Sequence, residues 1–125
     1  MKKLALAFLF VFAFCWSAQA ADISTTFAWQ QETPAAVIST DVFRGPTATG
    51  PWTMVKNQPM YTLGAGETEW KTTAAITVAD NAQTTVYFKA QNIGANGLRS
   101  VDSNIISKTY DTRVAPSAPS NFTVK

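Results

Sequence analysis

The sequence predicts an all-β sandwich of about six or seven strands, and two observations carry that prediction. From Ala21 onward, short segments rich in Thr, Val, Ile and aromatic residues are broken by Pro, Gly and Asn at roughly the ten-residue spacing of an all-β domain. No stretch keeps the apolar period of an amphipathic helix, and threonine is too frequent for a helical chain.

The first strand places Ile23, Thr25, Phe27 and Trp29 on one face and Ser24, Thr26, Ala28 and Gln30 on the other, a period of two with an apolar inner side. On this parity Trp29 is expected to anchor the core. A turn at Thr33 and Pro34 leads to a second strand over 37–44, whose buried set is either Ile38 with Val42 or Val37 with Phe43. After the loop marked by Gly45, Pro46, Gly50 and Pro51, residues 52–56 read as a short edge strand and 60–63 as another, ended by Gly64, Ala65 and Gly66. The clearest pair follows. Ala74, Ile76 and Val78 alternate on one strand, and Thr84, Val86, Phe88 and Ala90 on the next, across a turn at Asp80 and Asn81. A turn containing Asn92, Gly94, Asn96 and Gly97 then leads to a last strand over 104–109, with Ile106 pointing inward.

The N-terminus has a different character. Lys2 and Lys3 precede a 13-residue apolar run over 4–16, followed by Ser17, Ala18, Gln19 and Ala20. This is the layout of a secretory signal with a small-x-small cleavage site, and the run is shorter than the about 20 residues of a membrane-spanning helix. Residues 1–20 are therefore expected to be removed before Ala21. The alternatives are an uncleaved anchor or acylation on Cys15, against which Phe14 stands where a small residue normally precedes the modified cysteine. Of ten basic residues, losing Lys2 and Lys3 leaves eight against eight acidic ones. A neutral chain with scattered charge is not a nucleic-acid binder, and once cleaved it has no membrane segment. Cys15, the single cysteine, goes with the signal, so no disulfide is expected. A chain of this length can bury enough surface for one domain without one.

Over residues 23–111 the chain resembles a fibronectin type III domain, an immunoglobulin-like β-sandwich. Phe27, Ala28 and Trp29 resemble the family's leucine-x-tryptophan core pair. The turn from Gly45 to Trp52 is similar to the exit of its third strand, and Val78 followed six residues later by Thr84 matches the approach to its sixth. The stretch Phe88, Lys89, Ala90, Gln91, Asn92, then Gly97, Ser100, Ser103 and Asn104, is the most family-like. Two departures stand out. Thr84 occupies the place of the tyrosine whose hydroxyl ties the corner between sheets, and Tyr87 has the wrong parity to replace it. Only Ala21 to Ser24 stand where the family's first strand should lie. The resemblance assigns 21–112 to the sandwich and implies that the chain enters at one pole and leaves at the other. The tail, 113–125, contains Ala115-Pro116-Ser117-Ala118-Pro119-Ser120-Asn121-Phe122-Thr123-Val124 and resembles the opening of a further such domain, missing first strand included.

Catalytic equipment is sparse. There is no histidine, and no cysteine after cleavage, which removes imidazole acid–base chemistry, thiol nucleophiles and the commonest metal ligands. No Ser or Thr sits in a nucleophile motif, and Gly64-Ala65-Gly66 lacks the lysine of a phosphate loop. Glu67 and Glu69 on one strand face would imitate a glycosidase carboxylate pair, but read more simply as a charged edge that resists sheet pairing. A calcium site from Glu67, Glu69, Asp80 or Asp102 lacks ligand spacing. No enzyme, cofactor or metal is expected.

Two non-catalytic roles remain. In the first, an exported module binds a protein or glycan through aromatics, namely Trp52, Tyr61, Trp70 and Tyr110, or through Asn92, Gly94 and Asn96. These last three lie in the family's commonest recognition loop, which lacks Arg-Gly-Asp here. Aromatics on strands serve equally as core or cross-strand packing. In the second, Asn121, Phe122, Thr123 and Val124 add as a strand to a neighbouring copy, giving weak self-association and head-to-tail assembly. The tail read alone also fits a linker, or a segment folded back on its own sheet.

Overall fold

A computed structural model describes residues 19–32 and 34–125. The leader expected over 1–20 thus lies almost wholly outside the described residues, as does Thr33. Six strands form: β1 (Ala20–Trp29), β2 (Val37–Gly45), β3 (Thr53–Pro59), β4 (Trp70–Ala79), β5 (Gln83–Gly94) and β6 (Ile106–Asp111). A 3₁₀ turn at Pro34–Ala36 precedes β2. One sheet holds β1 and β4, the other β3-β2-β5-β6, and every pairing is antiparallel.

The alternating residues read from the sequence form the interface between the sheets. Phe27, Ala74, Ile76 and Val78 from the first sheet meet Val42, Val86, Phe88 and Tyr110 from the second in one buried cluster. Phe27 and Phe88 touch edge to face, with centroids 4.9 Å apart at 65°, the geometry that the ring quadrupole favours. Threonine serves the outer faces, where cross-strand hydroxyl pairs join Thr26 to Thr73 and Thr85 to Thr109.

Several expectations are corrected. Residues 60–63 form no strand. Tyr61 caps the start of β4 instead, its hydroxyl accepting the Lys71 amide at 2.7 Å. On β2 the inner set is Thr40 and Val42, while Ile38, of the same parity, is exposed because the facing sheet does not reach it. On β6 the buried residue is Tyr110, four positions after Ile106, which is half exposed. Trp29 has the expected inward parity but stands at the end of β1, only partly covered and outside the core cluster.

Tyr110 also supplies a tie between the sheets, its hydroxyl lying 2.7 Å from Thr25 Oγ1 in the interior. Tyr110→Phe is expected to cost about 0.5 to 1.5 kcal/mol by removing this hydrogen bond, since the Thr25 hydroxyl keeps the Ile23 carbonyl as acceptor at 3.3 Å; the loss is read as a lower urea midpoint at unchanged m-value. An unshifted midpoint would remove the tie from the account of stability.

The chain enters and leaves the sandwich at one pole, not at opposite poles. Ala20 pairs with Ala79, and at the exit the Thr112 hydroxyl donates to the Ala79 carbonyl at 2.8 Å. No residue after Asp111 belongs to a strand, so the tail adds no strand to either sheet of its own chain.

Candidate functional site

The order of the strands decides where the molecule is open. β4 lies over the β3 side of the larger sheet, with Thr72 Oγ1 donating to Gln58 Oε1 at 2.8 Å, and β1 lies over the β6 side through Thr25 and Tyr110. The free edges of β1 and β6 therefore fall on the same flank. Between them runs a groove walled by Ala28 and Trp29 on one side and by Ser103 and Ile106 on the other, with Phe27 and Phe88 in its floor. Its cavity is about 120 Å³. That is somewhat less than the roughly 150 Å³ of a closed apolar cavity that holds a benzene ring, but this one is open along the flank. It continues past Trp29 into a second hollow bounded by Thr40, Asn92 and Val101. The Trp29 indole N–H is buried without a hydrogen-bond partner among the described residues.

The edges differ in how they are guarded. Open edges are normally blunted by lysine, proline, bulges or shortness. β3 carries Lys56 and Pro59 and pairs through a bulge at Val42 and Phe43. β6 has six residues and carries Lys108. β1 has ten residues, no proline, no lysine and a single charge, Asp22. Among the described residues its only ladder is the one with β4.

The residues singled out for binding do not form one surface. Trp70 is 8 % exposed, and its indole N–H donates to the Tyr61 carbonyl at 2.9 Å. These two meet at the pole opposite Ala20 and Thr112, beside a hollow that also takes in Pro34 and Leu63. Tyr110 is core. Trp52 is half buried, and Lys89 Nζ stands 4.8 Å from its ring centre. Trp52 packs over Gly50, whose φ is +89° and where a Cβ would stand only 2.9 Å from the indole, too close to fit. Asn92 and Gly94 end β5 rather than sitting in a loop. The Asn92 amide oxygen accepts from Thr40 Oγ1 at 2.8 Å, and that of Asn96 accepts from the Leu98 amide at 3.1 Å. Asn121 to Val124 are exposed and unpaired. Glu67 and Glu69 lie in the loop before β4 and share no strand face. No cluster able to hold a metal occurs among the described residues.

Two charged pairs lie outside the groove. Asp41, fully buried, accepts from Asn57 Nδ2 at 2.6 Å and from Arg99 at 2.8 Å, which pins the 95–105 loop over β2. Asp111 is held well below the ordinary carboxylate range, at about 2, because Arg113 hydrogen-bonds it through both side chain and backbone. That pair fixes the direction in which the tail leaves β6.

Compared with known proteins, the chain matches no family model, no curated protein and no solved structure.

Proposed function

We propose that this chain is an exported, non-catalytic β-sandwich of fibronectin type III-like character that captures an extended polypeptide along β1. One observation carries the reading: an unguarded edge, nine residues long from Ala21 to Trp29 once the leader is removed, lies beside a mainly apolar groove that reaches the floor of the core. An incoming strand would pair its backbone with β1 and place alternate side chains in the groove, the mode called β-augmentation. The choice of a polypeptide over a glycan is supported by the burial of Trp70 and Tyr110, which leaves too few open aromatic faces for a sugar platform. Export is supported by the layout of residues 1–20 and by the position of the cleavage site, since cutting before Ala21 would remove only one residue of β1.

The exported protein should begin at Ala21 on N-terminal sequencing, and recovery of the intact N-terminus in membranes would overturn export. For binding, a displayed library of seven-residue peptides should yield binders with apolar residues at alternate positions. Their contacts, mapped by amide chemical shifts, should fall on β1, Trp29 and Ile106. Binders that map only to the pole of Tyr61 and Trp70, or no binders at all, would overturn the edge reading.

A further inference from the structure

We infer that the occupant of the groove is the C-terminal segment of a second copy of this chain, Ser120 to Val124. This inference rests on the edge reading above and names its partner.

The tail has the required chemistry. Phe122 and Val124 are the two most exposed large apolar residues described, at 89 % and 96 %, and at a separation of two they share one face of a strand. The groove is an open, mainly apolar hollow of about 120 Å³, and the tail offers an unburied phenylalanine. The one charged side chain lining the groove, Lys89, is already paired with Asp102 at 2.9 Å, and Ser120 to Val124 carry no charged side chain, so docking buries no charged side chain without a counterpart.

Geometry favours a second copy over the chain's own groove. The tail leaves beside Ala79, opposite Ala20, whereas the groove lies at the far end of β1, around Phe27 and Trp29. To reach its own groove the tail would have to climb parallel to β1 with residues 113–119 against the start of that strand. Pro116 and Pro119 donate no backbone N–H to such a ladder. A neighbour stacked with its groove end against this pole meets the tail from the other direction. Residues 113–119 then act as a spacer of about 23 to 25 Å, both prolines stay outside the ladder, and 120–124 pair antiparallel, the slightly stronger arrangement. Asn121, at φ +54° in the free tail, must extend on docking. The contact is head to tail and leaves one free groove and one free tail at the ends, so it propagates into chains rather than closing as a dimer.

The exported protein should show a mass by light scattering that rises with concentration. Phe122→Asp, on an exposed residue outside the sandwich, should weaken association at least about tenfold, since burying a phenylalanine contributes more than the 1.4 kcal/mol that tenfold represents. Because the exported chain has no cysteine of its own, Ala28→Cys and Thr123→Cys can be placed in separate copies, mixed, and bridged with a short bis-maleimide. A crosslinked heterodimer that Phe122→Asp abolishes supports the inference. A protein monomeric at millimolar concentration, association that Phe122→Asp leaves unchanged, or, in a chain carrying both cysteines, bridging only within one molecule would each overturn it. A synthetic peptide of residues 115–125 separates the two levels. If library peptides shift β1 amides and this peptide does not, the edge reading stands and the second copy is wrong; if neither binds β1, both fall.

Discussion

Phe88→Ala is expected to cost about 3 to 5 kcal/mol of unfolding free energy, the largest loss of any single truncation here. Phe88 is 2 % exposed in the middle of β5, paired with Arg44 on one side and Ile106 on the other, and it carries the edge-to-face contact with Phe27. Its removal takes away the transfer free energy of the ring and the only aromatic pair joining the two sheets among the described residues, against a total domain stability of about 5 to 15 kcal/mol. Trp29→Ala is expected to cost less, about 1 to 2 kcal/mol, because much of the indole already lies against an open groove and less apolar surface returns to water. Urea denaturation of both variants checks the ranking. If Trp29→Ala proves as costly as Phe88→Ala, Trp29 is a core residue and the groove beside it is closed in solution.

The second large effect is expected at Arg99. Arg99→Ala leaves the buried Asp41 carboxylate with Asn57 as its remaining partner. Breaking a buried pair by removing one member costs about 3 to 5 kcal/mol. Arg99 is half exposed, so water partly replaces it, and a loss of about 2 to 3 kcal/mol is expected after that discount. Most of the cost belongs to the stranded charge, so Asp41→Asn combined with Arg99→Ala should lose less than Arg99→Ala alone. A double-mutant cycle measures this coupling directly. Strictly additive losses would show that the two side chains act independently. Because this pair pins the 95–105 loop, which forms one wall of the groove, Arg99→Ala should also weaken peptide capture, while Glu67→Gln, in the distant loop before β4, should leave capture unchanged.

The candidate site was legible in unequal parts. The tail's apolar pair is visible as residues. The absence of lysine and proline from the first strand was equally available, and would have marked β1 as an unguarded edge had it been compared with Lys56 and Pro59 on β3. The groove was not available, since its walls come from Trp29 and Ile106, 77 positions apart, and Ile106 was expected inside. The Asp41–Arg99 pair was missed for a related reason: an aspartate on a strand reads as a solvent-facing residue until a loop from elsewhere covers it.

What the sequence by itself determined is the fold class and the inner faces of β1, β4 and β5. Period-two alternation is a local property of extended backbone, so Phe27, Ile76, Val86 and Phe88 declare their side without knowledge of any partner. Only the tertiary structure decided which of those inward residues are truly covered. Burial depends on whether the opposite sheet extends far enough, and that separates Tyr110 from Ile106 on one strand and Phe27 from Trp29 on another. The larger sheet has four strands and the smaller one two, and this mismatch leaves the flank of β1 open and turns an inward-facing position into the wall of a binding groove.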